Sequence, residues 1–258
     1  MPPLVSIVTP SYNQARFLPD TIQSVLMQDY PRLEYIIVDG GSTDGSLPII
    51  QQHASKLAWW VSEPDQGQTD AINKGFARAS GEIFAWLNSD DTYQPGAITQ
   101  AVEALLAHPG AAMVYGDASL IDELGKTFGR FPAKQTGLKQ MLRGSVHIPQ
   151  QAAFFWARYW KQVGPLDPTF HFAMDYDLWV RLSKLGPPLY VPRWWANFRL
   201  HGDAKTIAAD SRCWPEMLRV HRREGGTWFS VMYARYLLRT LLAPLITLRR
   251  RRLFERKS

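Results

Sequence analysis

Residues 82–91 read EIFAWLNSDD, an apolar run that stops on an amide, a hydroxyl and two adjacent carboxylates. A short apolar run bounded by polar residues has the length of a buried strand. Its polar end then marks one edge of a sheet. There Asp90 and Asp91 repel each other and lose hydration, so something positive must stand beside them.

Four more runs share this character: LVSIVT (4–9), EYIIV (34–38), LAWWV (57–61) and AAMVYG (111–116). Amphipathic segments lie between them. Phe17, Leu18, Ile22, Val25 and Leu26 form an apolar stripe at helical spacing, and Ala71, Phe76 and Ala79 form a partial one. Continuous apolar strands separated by helices imply an α/β fold whose mostly parallel sheet is covered on both faces. In such sheets ligands bind beyond the carboxyl ends of the strands. Polar residues collect at those ends: TPSYN (9–13), DGGSTDGS (39–46), SEPDQGQTD (62–70) and NSDD (88–91). Each alone reads as an ordinary turn. Four on one sheet edge, all carrying acids or hydroxyls, point to a ligand.

The composition sets the outer limits. A chain of 258 residues, 46% hydrophobic and 20% charged, suits a soluble enzyme of one large domain or two small, tightly associated ones. The single Cys213 excludes an internal disulfide and a multi-cysteine zinc site, and fits a reducing compartment. The opening MPPLVSIVTP lacks the pattern of a signal peptide, so the expected location is cytoplasmic. The net charge of +6 is concentrated in the last ten residues, RRRRLFERKS, whose six cations and one anion supply +5. The remainder is close to neutral, and no nucleic-acid partner is expected of it.

Residue chemistry refines the sheet-edge reading. Hard oxygen ligands such as those of NSDD suit Mg²⁺ or Mn²⁺, which take one or two carboxylates and complete their shell with water and substrate phosphates. The alternative is that Asp90 or Asp91 caps the helix beginning near QPGAITQAVEALL (94–106). Asp70 and Lys74, four apart in DAINKG (70–75), either face a ligand or pair with each other. Asp175 and Asp177 in MDYDLW (174–179) stand two apart near a helix start, so they point in different directions and only one faces a cleft. Asp175 could alternatively cap that helix. Trp194 and Trp195 are expected to pack rather than to stack on a sugar.

VSIVTPSYNQARFLPDTIQSVLMQDYP, YIIVDGGSTDGS, SEPDQGQTDAINKGFARASGEIFAWLNSDD and FAMDYDLWVRL together resemble, in order and spacing, the successive motifs of the family 2 glycosyltransferases, over about residues 4–205. The resemblance implies a GT-A fold, a nucleotide-sugar donor, a divalent metal (Mn²⁺ or Mg²⁺) and inversion at the anomeric carbon. It implies donor contacts from Thr9, Pro10, Tyr12 and Asp39, with Asp70, Lys74 and Asn88 also facing the donor. Gly40 stands where relatives often carry a second acid. NSDD matches the metal-binding DXD element, with Asp91 as metal ligand and Asp90 as a ribose or water-mediated contact. Asp175 matches the family's catalytic base; Asp177, Gln150 and Gln151 fall on the acceptor side. His201, in FRLHGDAKT (198–206), aligns with a histidine that in some relatives ligates the metal or touches the diphosphate. UDP is the favoured nucleotide because it is common in the family.

Three segments follow: a nucleotide-sugar half (1–116), an acceptor half (117–205) and a basic helical tail (206–258). In the tail, WFSVMYARYLLRTLLAPLITL (228–248) is nearly long enough to span a bilayer, but Arg235, Arg239 and Pro244 interrupt it. Arg235 and Arg239 share one helical face and leave Leu237, Leu238, Leu241 and Leu242 for another, which suits a helix lying on an anionic membrane. Packing against the domain is the alternative. On the membrane reading the enzyme is peripheral on the inner face of the cell membrane, and its acceptor is a lipid-linked glycan of a surface polysaccharide. Two other functions compete. A non-catalytic sugar-nucleotide-binding protein would need Asp39 and Asp91 but not Asp175. A nucleotidyltransferase would need a Gly-rich basic phosphate loop after the first strand, which TPSYNQARF does not provide.

Overall fold

In the structure, a computed structural model, residues 1–202 and 205–242 are described, the latter with side chains from 212 onward. The first half alternates strand and helix: β1 (Val5–Ser11), α1 (Leu18–Leu26), β2 (Leu33–Asp39), α2 (Ser46–His53), β3 (Trp59–Ser62), α3 (Gln68–Arg78), β4 (Ile83–Trp86), β5 (Thr92–Tyr93) and α4 (Ala97–Ala107). The second half continues with β6 (Met113–Ile121), β7 (Thr127–Arg130), α5 (Leu138–Met141), β8 (Ala153–Trp156), α6 (Ala157–Val163), α7 (Met174–Leu182), β9 (Pro188–Arg199) and α8 (Lys205–Arg223). A further helix runs from 231 through 242.

All these strands form one sheet in the order β3-β2-β1-β4-β8-β6-β9-β5, with β7 paired antiparallel to the last residues of β6. β3, β2, β1 and β4 pair in parallel. Beyond β4 the sheet becomes mixed: β8 is antiparallel to both β4 and β6, while β6 and β9 are parallel. AAMVYG therefore lies not beside the fourth strand but one strand further out. β6 also runs through the 116/117 boundary, so the two halves share a single sheet.

The period-2 geometry of a strand explains why the apolar runs are continuous. Val8, Ile36, Val38, Phe84 and Trp86 enter the core on one face, and Val5, Ile7, Tyr35, Ile37, Ile83 and Ala85 enter the core on the other. α1 buries Leu18, Ile22 and Val25, as its stripe requires. α3 lies so close to β1 that a Cβ on Gly75 would stand 2.4 Å from Val8 Cγ1. Only glycine fits that approach, and the approach sets the start of α3 above the strand ends.

The C-terminal segment is part of the same core. Trp214, Met217, Leu218 and Val220 of α8, and Met232 of the following helix, join the cluster that holds Trp179 and Trp86. Residues 243–258, and with them the basic run at 249–252, lie outside the described residues. No helix among the described residues is long and apolar enough to cross a membrane. On the 231–242 helix the two arginines turn inward: Arg235 donates to the Arg143 carbonyl at 3.0 Å, and Arg239 sits 5.4 Å from the Trp214 ring. Leu237, Leu238, Leu241 and Leu242 face outward and are exposed.

Candidate functional site

The loops that follow β1 to β4 open onto a cavity of about 560 Å³, lined among others by Pro10, Ser11, Tyr12, Asp65, Asn88 and Asp90. A second cavity of about 480 Å³ adjoins it and is lined by Trp86, Gln150, Gln151, His171, Asp175 and Arg239, among others. Gln68, Asn88 and Phe198 border both.

The two-residue strand β5 begins directly after NSDD and pairs antiparallel with the end of β9, Thr92 opposite Asn197. This register brings Arg199 and His201 against Asp90 and Asp91. The Arg199 backbone N–H donates to Asp91 Oδ1 at 2.9 Å, and its Nε donates to the Asp90 carbonyl at 2.8 Å. The guanidinium, 2% exposed, also binds Asp20 at 3.0 Å and lies 4.9 Å from the Phe17 ring. His201 packs at a tilt against the same ring and places Nε2 3.1 Å from Asp90 Oδ2. Arg199 thus supplies part of the positive charge that the paired carboxylates require, and the sequence reading did not include it.

Asp90 and Asp91 differ in setting. Asp91 is 1% exposed. Its Oδ2 accepts from Asn88 at 3.4 Å and from Gln151 at 3.3 Å, while its backbone carbonyl accepts from Thr21. Burial, then the neighbouring Asp90, pushes its carboxyl well above the ordinary range, against the pull of the Arg199 N–H, Asn88 and the Arg199 charge. Asp91 therefore braces the loop; both carboxylates line the first cavity, Asp90 with the buried His201 imidazole beside it. A carboxylate and an imidazole 3.1 Å apart can share one divalent ion. The Asp90–His201 contact and the Asp91 contacts to Arg199, Asn88 and Gln151 are the polar surroundings of the expected metal site. Among the described residues no group of three or more His, Cys, Asp or Glu could hold an ion. Diphosphate oxygens and water would complete the shell of an ion held at this pair.

Thr9, Asp39, Asp70 and Lys74, expected on the donor side, all have partners within the protein. Thr9 is fully buried, with its hydroxyl 3.1 Å from Tyr35 Oη, because the strand pattern turns it inward. Asp39 is fully buried too: Oδ1 accepts from Ser42 Oγ at 2.5 Å, and Oδ2 accepts from the Ser42 N–H at 2.9 Å and from Ser62 Oγ at 2.7 Å. It fastens the loops after β2 and β3 together. Asp70 and Lys74 pair at 3.3 Å, and Lys74 also binds Glu63 at 3.0 Å. The Glu63 hydrogen bond, with Asp70, outweighs burial and holds the ammonium pKa above its ordinary value. Neither borders the cavity. Pro10 and Tyr12 do border it.

Asn88 joins the two cavities. Its Oδ1 accepts from Gln68 at 2.7 Å, and its Nδ2 donates to Gln150 Oε1 at 3.2 Å. Gln150 in turn donates to the Trp86 carbonyl at 2.7 Å. Gln150 and Gln151 thus border the second cavity and also brace NSDD from it. Asp175 lies in the first turn of α7, where Oδ1 accepts the Tyr176 N–H at 2.7 Å, and it borders the second cavity. Asp177 does not. It is fully buried, 2.8 Å from Arg181 and 2.5 Å from Arg223, so the acceptor contact expected of it is replaced by a link between α7 and α8. The spacing rule already required one of the pair to leave the cleft. α8 also reaches the loop before Asp175: the Glu216 carboxylate accepts from the N–H groups of His171, Phe172 and Ala173 at 2.8–3.0 Å.

The family described as Glycosyl transferase family 2 matches residues 6–159. TuaG of Bacillus subtilis, named as a teichuronic acid biosynthesis glycosyltransferase, is 30% identical over 250 residues, which cover 90% of this chain and 95% of that one. Staphylococcus aureus TarS, residues 1–349 with UDP-GlcNAc, superposes with a TM-score of 0.70 at 16% identity, covering 84% of this chain and 65% of that one. The mannosyltransferase PcManGT of Pyrobaculum calidifontis, with GDP-Man and Mn²⁺, gives 0.68 at 19% identity, covering 92% and 70%. At these identities the two structures show a shared fold.

Proposed function

The chain belongs to glycosyltransferase family 2, and on that premise we propose that it is an inverting, metal-dependent transferase that moves a sugar from a nucleoside diphosphate, UDP favoured, to a hydroxyl of a lipid-linked glycan in surface polysaccharide assembly. The observation that carries this reading is the pair of adjoining cavities: one has Asp90 and Asp91 at its wall, with buried His201 behind Asp90, the other has Asp175, and Asn88 lies between. Donor and acceptor then meet near Asn88.

Asp175 acts as the general base on the acceptor hydroxyl, whose oxygen attacks the anomeric carbon from the face opposite the leaving diphosphate; one displacement inverts the centre. A carboxylate is a weak base, so the cleft must contribute positioning and desolvation. A divalent ion held by Asp90 and His201 would supply charge stabilisation at the leaving diphosphate. The relative with GDP-Man and Mn²⁺ supports a metal, and the one with UDP-GlcNAc supports UDP. TuaG's name supports surface polysaccharide as the destination. The outward leucines of the 231–242 helix support a peripheral place on the inner membrane face, where a lipid-linked acceptor would be within reach of the second cavity.

Calorimetric titration with UDP and Mn²⁺, repeated in EDTA and with Asp90→Ala, tests the reading. The expected outcome is Mn²⁺-dependent binding that EDTA abolishes and Asp90→Ala weakens about 10- to 100-fold, the range for a disturbed metal site. Binding indifferent to both overturns the metal assignment.

A further inference from the structure

The helix that runs from 231 through 242 lends Arg239 to the second cavity. Among the described residues lining that cavity, Asp175 is the one acid and Arg239 the one permanent cation. The Arg239 guanidinium lies 5.4 Å from the Trp214 ring of α8, and the residue stays exposed. An aromatic ring beside a guanidinium fixes its position by cation–π attraction. Gln68, Asn88 and Phe198 form the end shared with the first cavity, whereas Arg239 borders only the second.

Positive charge continues along the neighbouring wall. Val146 and Ile148 line the cavity, and His147 stands between them in the chain. Burial, then the Lys134 charge, with a smaller push from Arg235, hold the His147 imidazole below its ordinary pKa against the pull of the Pro132 carbonyl. Two further cations therefore stand near that segment. Arg235 belongs to the same helix as Arg239 and donates to the Arg143 carbonyl at 3.0 Å. That helix also turns Leu238, Leu241 and Leu242 outward, 58%, 76% and 39% exposed, on one face. One short element thus carries cations toward a cavity and an apolar stripe away from it. An amphiphile with an anionic head has the matching order, its charge beside the arginine and its hydrocarbon beside the leucines.

We propose that Arg239 is an anion subsite of the acceptor cavity and binds the phosphate of the lipid carrier to which the acceptor glycan is attached. A guanidinium offers phosphate two parallel N–H donors, a geometry that lysine cannot match. Asp175 and Arg239 wall the same cavity of about 480 Å³, so the hydroxyl and the phosphate belong to one short glycan. The substrate class is a lipid-linked glycan at an early stage of elongation, and the reaction that must supply it is one that places a first sugar on a carrier phosphate. The inference rests on the acceptor reading of the second cavity, and deepens it by naming the group that the cavity grips.

The test is calorimetric titration of the full chain in EDTA with farnesyl diphosphate, farnesol, inorganic pyrophosphate and glucuronate, for wild type, Arg239→Gln, Arg239→Lys and Arg235→Gln, with thermal melts confirming that each variant is folded. Farnesyl diphosphate is expected to bind wild type and to lose about tenfold in Arg239→Gln, the value of one hydrogen bond to a charged group. Arg239→Lys should recover part of that loss. Arg235→Gln, which removes equal charge from the same helix outside the cavity, should stay within about threefold. Farnesol and pyrophosphate should each bind more weakly than farnesyl diphosphate, because each lacks one part of the amphiphile. Turnover with a membrane lipid extract should follow: in Arg239→Gln the KM for the lipid rises about tenfold while the KM for the donor is unchanged. An equal loss in Arg235→Gln, or pyrophosphate or glucuronate bound as tightly as farnesyl diphosphate, overturns the inference. Farnesyl diphosphate binding that Arg239→Gln leaves unmoved does so too. If wild type binds no farnesyl diphosphate while the lipid extract supports turnover, the phosphate subsite falls and the acceptor reading stands. If the extract supports none, both fall.

Discussion

The two cavities share Gln68, Asn88 and Phe198 yet are built in opposite ways. Most of the first is a product of consecutive parallel strands: each loop after β1 to β4 leaves the same sheet edge, so neighbours in the fold come from neighbouring stretches of sequence. The second gathers residues from 86–88, 131, 146–151, 171–176, 213–217 and 239, and depends on α8 and the helix after it. A sheet edge places its loops by topology alone. A cavity walled by a late helix exists only as long as that helix stays docked. Changes at α7 and α8 should therefore act on transfer and leave nucleotide binding intact.

Asp175→Asn is the most severe way to pull the two apart. Removing the proposed general base should lower turnover about 10²- to 10⁴-fold. The Kd for the nucleotide that binds wild type best should stay within about twofold, below 0.5 kcal/mol. Turnover is read as release of the nucleoside diphosphate from its sugar nucleotide in the presence of a membrane lipid extract. A variant with unchanged turnover would remove Asp175 from the chemistry. One with lost nucleotide binding would show that the cavities are not separable.

What could be read from the sequence follows the same division. The parallel strands, the α1 stripe and the four polar loop ends were legible because each is a local pattern of period 2 or 3.6. The structure placed Pro10, Tyr12, Asn88 and Asp90 along the first cavity and Asp175, Gln150 and Gln151 along the second. Which side chain of a strand end faces the ligand was less legible: Thr9 and Asp39 turn inward, and only the register β1 takes against β2 decides that. Arg199 was not legible at all. Its role comes from the pairing of the two-residue strand β5 with β9, across more than a hundred residues, and no local pattern announces so short a strand.

Glu216→Ala offers a milder separation. One carboxylate of α8 holds three N–H groups immediately before α7, and these aim the first turn that carries Asp175. Hydrogen bonds to a charged group contribute about 1.5–3 kcal/mol, but this loop is partly exposed and water can replace the acceptor, so a roughly tenfold fall in turnover is expected. The KM for the donor should not move. If it rises in step, α8 also shapes the first cavity, and the comparison between the two fails on that side.

The smallest effect is expected at Glu224, which closes the junction of α7 and α8. Its carboxylate, 9% exposed, pairs with Lys184 and with Arg223, whose guanidinium also reaches buried Asp177. Burial alone would raise the Glu224 pKa, but Lys184 and Arg223 together hold it below its ordinary 4.5. A carboxyl depressed on folding stabilises the protein at every pH above its unfolded value, and that stabilisation is lost as pH falls through the folded value. Lys184 and Arg223 are nearly half exposed, so solvent screens the pairs and Glu224→Gln should cost only about 0.5–1 kcal/mol at pH 7. The difference in unfolding free energy between wild type and variant should be constant from neutral pH down to about 5 and should shrink below 4.5. A difference that persists or widens at pH 3.5 would mean that the side chain acts through packing and not through its charge. Nucleotide affinity at pH 7 should be the same in both proteins, because the junction lies behind the second cavity and the sheet edge that forms most of the first does not depend on it.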